Sequence, residues 1–330
     1  MGTGPKAWVP RLGSGRHRMW WNWFLHQDTV VVESYSDSHA DFYGFDLRTG
    51  KRKARHSAIT DTEIPWGFRR RGGCTKNLSC ESLVLFRSST AGYYDSAGDT
   101  GTVNLSGFRT GCKNSLIPAA GILSAPNYTS GCTCNCPVFT ALALVHTPSV
   151  ESWATSTATW DDTRAKRVGI NFGAPGDHRA ANGTLWLVFP SVGGTSPDLP
   201  IRTVPPDPRW FYHHSARMKG GPSPTVTASG AEGLTQIAIT LRQTGDAKPA
   251  NYTVHMLFAE YDDLATGDRV FGVALQGKRV IERLDILAEA DRRTGLVKEF
   301  RNISADDVLT IDLIPITGRP TLCGIEAVQE

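Results

Sequence analysis

At 330 residues and 35.9 kDa the chain is long enough for about two domains. Apolar residues make up 40% and charged residues 20%, which provides for a buried core and excludes disorder along the whole length. The net charge of +3 excludes recognition of nucleic acid by bulk charge, and no apolar run of about 18 residues is present to form a transmembrane segment.

With 33 Gly, 19 Pro and short alternating apolar runs, the pattern predicts an all-β protein with few helices. Residues 1–18 are basic and Gly/Pro-rich and read as an unstructured N-terminal segment without the apolar stretch of a signal peptide. The cluster Trp20, Trp21, Trp23 and Phe24 reads as packing. Residues Arg69, Arg70 and Arg71, in a Gly-rich context, read as a solvated turn.

Apolar strands are predicted over Thr29–Glu33 and Phe42–Leu47, closed by a Thr49-Gly50 turn. The order recurs in Leu83–Arg87, Gly92–Asp95 and the turn Asp99-Thr100-Gly101, which places Asp46 and Asp95 49 residues apart. A weaker third unit holds Gly121–Ala125 and Thr140–Leu144. Short strands at such a period point to propeller blades, about three of them within residues 19–148. Gly44-Phe45-Asp46-Leu47-Arg48-Thr49-Gly50-Lys51 resembles the repeat of pyrroloquinoline-quinone-type (quinoprotein-like) β-propellers, in which Asp-x-x-Thr-Gly-x closes each blade. Ala54 stands where those repeats place a blade-wedging Trp, so a partial propeller without a bound quinone is expected.

Cysteines 74, 80, 112, 132, 134 and 136 fall in one 63-residue window. Such density implies disulfides in an oxidising compartment, with a metal site or free thiols as alternatives; Cys74, Cys80, Cys112, Cys132, Cys134 and Cys136 are the disulfide candidates. Alternation along a strand would place Cys132, Cys134 and Cys136 on one face. The expected location is periplasmic or extracellular, with an N-terminus truncated relative to an exported, bacterial-type parent.

Residues 149–165 are polar and Ser/Thr-rich and read as a linker, in which Trp153 and Trp160 are anchors onto a neighbour or ordinary packing. Beyond it, strands are predicted at Val168–Gly173, Thr184–Phe189, Gln236–Leu241, Tyr252–Phe258, Phe271–Leu275 with the turn Gln276-Gly277-Lys278, Leu309–Leu313 and Ile325–Val328. Strands that alternate without βαβ spacing imply a two-sheet β-sandwich over residues 166–330.

Asn251–Glu260, Arg269–Lys278, Leu284-Asp285-Ile286 and Pro320–Val328 together closely resemble the malectin domain, and Val168–Trp186 resembles its opening strands. The resemblance implies a non-catalytic, carbohydrate-binding, jelly-roll-type β-sandwich in which loop aromatics stack on sugar rings and an acid holds hydroxyls. Tyr261 is a candidate sugar platform or a plain rim tyrosine. Trp210, Phe211 and Tyr212 lie where the family often places a loop aromatic, with core packing as the alternative. Asp262 and Asp263 are candidates to hold a sugar hydroxyl or a Ca²⁺ ion, or form a solvated acidic turn. Adjacent His213 and His214 suit a loop or interface role better than a metal site.

No phosphate loop, His-Glu-x-x-His or Gly-x-Ser-x-Gly motif is present, so no catalytic constellation supports an enzyme. The sequence therefore implies a carbohydrate-binding module on a propeller scaffold, with a glycan and other envelope proteins as partners. The alternatives are a fragment of a quinone-dependent dehydrogenase, an envelope-assembly scaffold, or a protein–protein adaptor.

Overall fold

A computed structural model describes residues 21–35, 39–74, 76–111, 114–126, 141–147, 150–156, 160, 163–192, 199–242 and 248–330. The chain is nearly all-β, as its composition predicts, with two short α-helices and one 3₁₀ turn among the described residues. It divides into two compact units, residues 1–55 with 63–146 and residues 56–62 with 147–330.

The first unit holds three antiparallel sheets in chain order. The first runs Trp21–His26, Thr29–Tyr35, His39–Asp46, Gly67–Arg71. The second contains Leu78–Ser79, Leu83–Ser88, Thr90–Asp95 and Thr102–Leu105, and the third Ile117–Ala119, Ile122–Ala125 and Leu142–Val145. Of the two Asp-anchored turns, the first folds as its sequence suggests, whereas the second falls at residues 96–98, between Asp95 and Asp99, and not at the expected Asp99-Thr100-Gly101. Asp46 Oδ1 accepts from the Thr49 amide at 2.7 Å and the Arg48 amide at 3.1 Å, and Gly50 follows at φ 68°, a conformation that glycine adopts without a Cβ clash. Asp95 Oδ1 likewise accepts from the Ala97 amide at 2.9 Å.

The three-arginine run is a strand and not a solvated turn. Alternation within Gly67–Arg71 sends Phe68 and Arg70 inward, where Arg70 meets buried Glu33, while Arg69 pairs with Asp41 on the opposite face. Phe42, Phe68, Phe86 and Tyr94 stack between the first two sheets, with ring centroids 4.3 Å apart for Phe42–Phe68 and 4.2 Å for Phe68–Tyr94. Among the described cysteines, Cys74, Cys80 and Cys323 are free thiols, while Cys112, Cys132, Cys134 and Cys136 lie outside the described residues.

The second unit is a sandwich. One sheet has six strands in the order His178–Arg179, Leu185–Phe189, Arg167–Phe172, Gly324–Gln329, Ala250–Phe258, Leu296–Ala305. The other has five, in the order Ile201–Val204, Gln236–Thr240, Val308–Thr317, Val270–Leu275, Lys278–Leu284. Alternation aims Ile170, Phe172, Val254, Met256, Phe258 and Ile325 from the first sheet at Ile237, Ile239, Phe271, Val273, Leu309 and Ile311 from the second. Each such fully buried side chain contributes roughly 1.5–3 kcal/mol of apolar transfer free energy.

Local signals close the frame. Gln276 and Gly277 turn the chain between Leu275 and Lys278 as expected. Asp285 caps the short helix Ile286–Glu289, its Oδ1 accepting from the Leu287 amide at 3.1 Å and the Ala288 amide at 3.3 Å. Residues 56–62, which fall within the N-terminal repeats by chain position, belong to the second unit. Ile59 is buried in its core, and the Ile59 carbonyl accepts from the Lys166 and Arg167 amides at 2.7 and 3.0 Å. The stretch expected to be a linker also joins the second unit. Ala154 bridges Asp177, and the Trp160 ring packs on the core.

Candidate functional site

Beside the sandwich stands a three-stranded sheet in the order Arg209–Tyr212, Ser229–Glu232, Thr321–Leu322, which carries three of the candidate loop aromatics, Trp210, Phe211 and Tyr212. The period of two along Arg209–Tyr212 sorts these side chains to opposite faces. Trp210 turns inward: its ring lies 5.9 Å from Phe189 and 6.5 Å from Phe172, and its Nε1 donates to Asp207 at 3.2 Å. Its role is core packing. Phe211 turns the other way, onto Gly230. A Cβ at Gly230 would sit 2.5 Å from the Phe211 ring and 2.7 Å from the Leu322 carbonyl, so the close approach of the strand depends on glycine there.

Tyr212 is an exposed ring fixed by a buried acid. Its hydroxyl donates to Glu151 Oε2 at 2.7 Å, and Glu151 also accepts from the Ser215 amide at 2.5 Å and from Trp153 Nε1 at 3.2 Å. Burial alone would raise the Glu151 carboxyl, but the donors from Ser215 and Tyr212 outweigh it and hold it below its usual range. Burial and the hydrogen bond to Glu151 in turn push the Tyr212 hydroxyl up to about 12. Trp153 meets Tyr212 edge-on at 6.2 Å and His178 at 6.1 Å. Burial lowers His178, which keeps its imidazole neutral near neutral pH. Exposed rings with a neutral imidazole beside them can stack on a sugar's C–H face and bond its hydroxyls.

Tyr261 belongs to a different set of neighbours. It stacks on His213 with centroids 4.3 Å apart, lies 5.5 Å from Phe211, and donates its hydroxyl to Met218 Sδ at 2.6 Å. It packs against the small core of Trp186, Val226, Leu257, Ala259 and Cys323. Burial raises its hydroxyl well above the ordinary value, and burial, with the charges of Arg217 and Arg293, lowers His213. The adjacent histidines thus have separate tasks, since His214 Nδ1 instead accepts from the Ala216 amide at 3.1 Å to cap the turn Ser215–Arg217.

Asp262 is tied down by two guanidinium groups, Arg209 Nη2 at 2.6 Å and Arg269 Nη2 at 2.8 Å, and exposed Asp263 pairs with Arg292. Arg269 also meets Glu260 at 3.2 Å, and Arg209 pairs with Glu232. A Ca²⁺ ion at Asp262 would have to displace these cations, and among the described residues no group of three or more His, Cys, Asp or Glu side chains is arranged to hold a metal. The structure therefore joins Tyr212 to Glu151, Trp153 and His178, and joins Asp262 to arginines that sequence reading does not single out. Glu151 carries no local signal, because it lies in a polar stretch without periodicity.

No curated protein matches this chain. Among solved structures, Bacteroides uniformis β-glucuronidase is similar at 10% identity and a TM-score of 0.43, over 94% of this chain and 27% of that one. The ANX2 and ANX1 ectodomains of Arabidopsis thaliana are similar at 13% and 12% identity, each with a TM-score of 0.33, over 49% and 57% of this chain and 49% and 56% of theirs. The chain thus spans about a quarter of the length of the first and about half of the plant ectodomains. Residues 239–327, from the strand ending in Thr240 to the strand containing Ala327, match the family model of the malectin domain.

Proposed function

We propose that the second unit is a non-catalytic carbohydrate-binding module of a periplasmic or extracellular protein, and that the first unit is a partial propeller scaffold. The observation that carries the reading is the Tyr212 ring, exposed at 43% yet clamped through its hydroxyl by buried Glu151. A rigid aromatic face loses little conformational entropy when a pyranose packs on it. In this reading Tyr212 is the platform, Trp153 bounds it, and His178 and His214 supply the polar groups that orient hydroxyls. Tyr261, whose hydroxyl and one ring face are already engaged, supports the neighbouring loop. Asp262 positions Arg209 and Arg269.

The test is a glycan array followed by calorimetry on the full chain, with Tyr212→Ala and Tyr261→Ala alongside. The expected result is binding that Tyr212→Ala abolishes and Tyr261→Ala preserves. Loss in Tyr261→Ala alone would move the site to the loop after Phe258-Ala259-Glu260. A folded protein that binds no glycan would overturn the reading in favour of a protein–protein adaptor.

A further inference from the structure

Beyond Tyr212 the chain passes through His213 and the 3₁₀ turn Ser215–Arg217 and is then fastened to residues 293–295. The Lys219 amide donates to the Arg293 carbonyl at 2.8 Å, Gly220 bridges Thr294, and the Arg293 amide donates to the Glu260 carbonyl at 2.8 Å. Arg217 and Arg293 are thereby held near the stacked rings of His213 and Tyr261, and the charge of each acts on both rings. The acids of this region are already engaged, Asp262 by Arg209 and Arg269, Asp263 by Arg292, and Glu260 by Arg269. Among the described residues neither Arg217 nor Arg293 has an acid within ion-pair distance, and the buried Arg293 Nε has no hydrogen-bond partner. A buried donor of this kind calls for an acceptor. A guanidinium can only donate, so Arg217 Nη1, 3.3 Å from His213 Nδ1, makes that nitrogen the acceptor and puts the proton of the neutral imidazole on Nε2. Two guanidiniums and an imidazole N–H therefore stand together as donors.

We propose that Arg217, Arg293 and His213 form an anion site that takes the oxyanion group of a ligand, a phosphate, sulfate or carboxylate. Such a group carries two or more acceptor oxygens on one centre, which guanidinium donors match as a fork. The bond from Lys219 to Arg293 and the Tyr261 ring stacked on His213 fix the donors in advance, so little ordering is left for the ligand to bring about. None of these three residues belongs to the Tyr212 platform, and the anion site stands whether or not that platform binds a glycan.

An NMR titration of the full chain tests this by following the His213 ring resonances, assigned by their loss in His213→Gln. The probes are inorganic phosphate and acetate, with sodium chloride holding the ionic strength constant. A saturable shift is expected with at least one of the two, and the one that binds more tightly identifies the ligand's group as tetrahedral or as a carboxylate. Arg217 is exposed, so Arg217→Gln keeps the fold, and it is expected to weaken that binding about tenfold or more. Arg217→Lys, which keeps the charge without the fork, should weaken it less. No saturable shift with either anion, or binding that Arg217→Gln leaves unchanged, would overturn the proposal.

Discussion

Arg269 Nη1 lies 3.2 Å from Glu260 Oε2, with both side chains buried and the same guanidinium reaching Asp262 at 2.8 Å. Burial raises the Glu260 carboxyl, and Arg269 is the main influence that opposes the shift. Arg269→Met removes that opposition and leaves a buried carboxyl without its partner, a loss of about 3–5 kcal/mol. The pH dependence has a definite sign. A carboxyl whose folded pKa exceeds its unfolded value stabilises the fold below the unfolded value and loses that contribution as pH rises through the folded one. Arg269→Met is therefore expected to lose more stability at about pH 8 than at about pH 5 in urea unfolding, and adding Glu260→Gln should remove the difference. Equal losses at both pH values would mean that Glu260 stays satisfied without Arg269.

Gly230→Ala tests how the Tyr212 strand is seated. The added Cβ meets the Phe211 ring on one side and the Leu322 backbone on the other, so the strand Arg209–Tyr212 must shift. The expected cost is about 1–3 kcal/mol by thermal unfolding, together with weaker glycan binding through displaced Tyr212. An unchanged melting temperature would show that the Phe211 ring swings aside, and in that case binding should also be unchanged.

Three histidines make the fold acid-sensitive. Burial lowers His26, His178 and His213 from 6.5, although a backbone hydrogen bond at Cys80 opposes the shift at His26. A histidine with a folded pKa below its unfolded value binds its proton more readily in the unfolded chain, so stability falls as pH drops below about 6.5. Imidazole resonances titrated by NMR should show all three protonating below 6.5. Unfolding free energy should decline over the same interval. A histidine among them that titrates above 6.5 would contradict its burial.

The sandwich is legible from sequence because its strands obey a period of two set by one buried face. Gln236–Thr240, Ala250–Phe258 and Gly324–Gln329 fall close to where their alternation places them. The Asp46 turn is legible because an Asx side chain dictates the local hydrogen bonds, while at the second site Asp95 rather than Asp99 anchors the turn, ahead of the Thr100-Gly101 pair that signalled it. Long-range pairing is not. Arg70 looks like one of three solvated arginines until strand alternation and the approach of the second sheet bury it. Glu151 acts on Tyr212 across 61 residues, and Ile59 fills a core whose other members come from residues beyond 160. Such partners are chosen by tertiary geometry, which no local pattern records.

The Glu33–Arg70 pair carries the last prediction. Both side chains are almost wholly buried. Arg70 Nε donates to Glu33 Oε1 at 3.0 Å and Arg70 Nη1 to the Arg87 carbonyl at 2.7 Å, while the Asn77 amide bonds Glu33 Oε2 at 2.9 Å. The guanidinium carbon also lies 5.8 Å from both the Tyr35 and Phe42 ring centroids. Desolvating two charges costs about as much as their attraction returns, so the pair adds little over an apolar replacement, but breaking it strands a buried charge. Arg70→Met alone and Glu33→Leu alone are each expected to cost about 3–5 kcal/mol in urea unfolding. The double variant should cost clearly less than either single one, because no buried charge is left unpaired and the new side chains join the stack of Phe42, Phe68 and Phe86. Losses in the double variant that equal the sum of the singles would mean that the bonds to Asn77 and to the Arg87 carbonyl, rather than the ion pair, hold the first two sheets together.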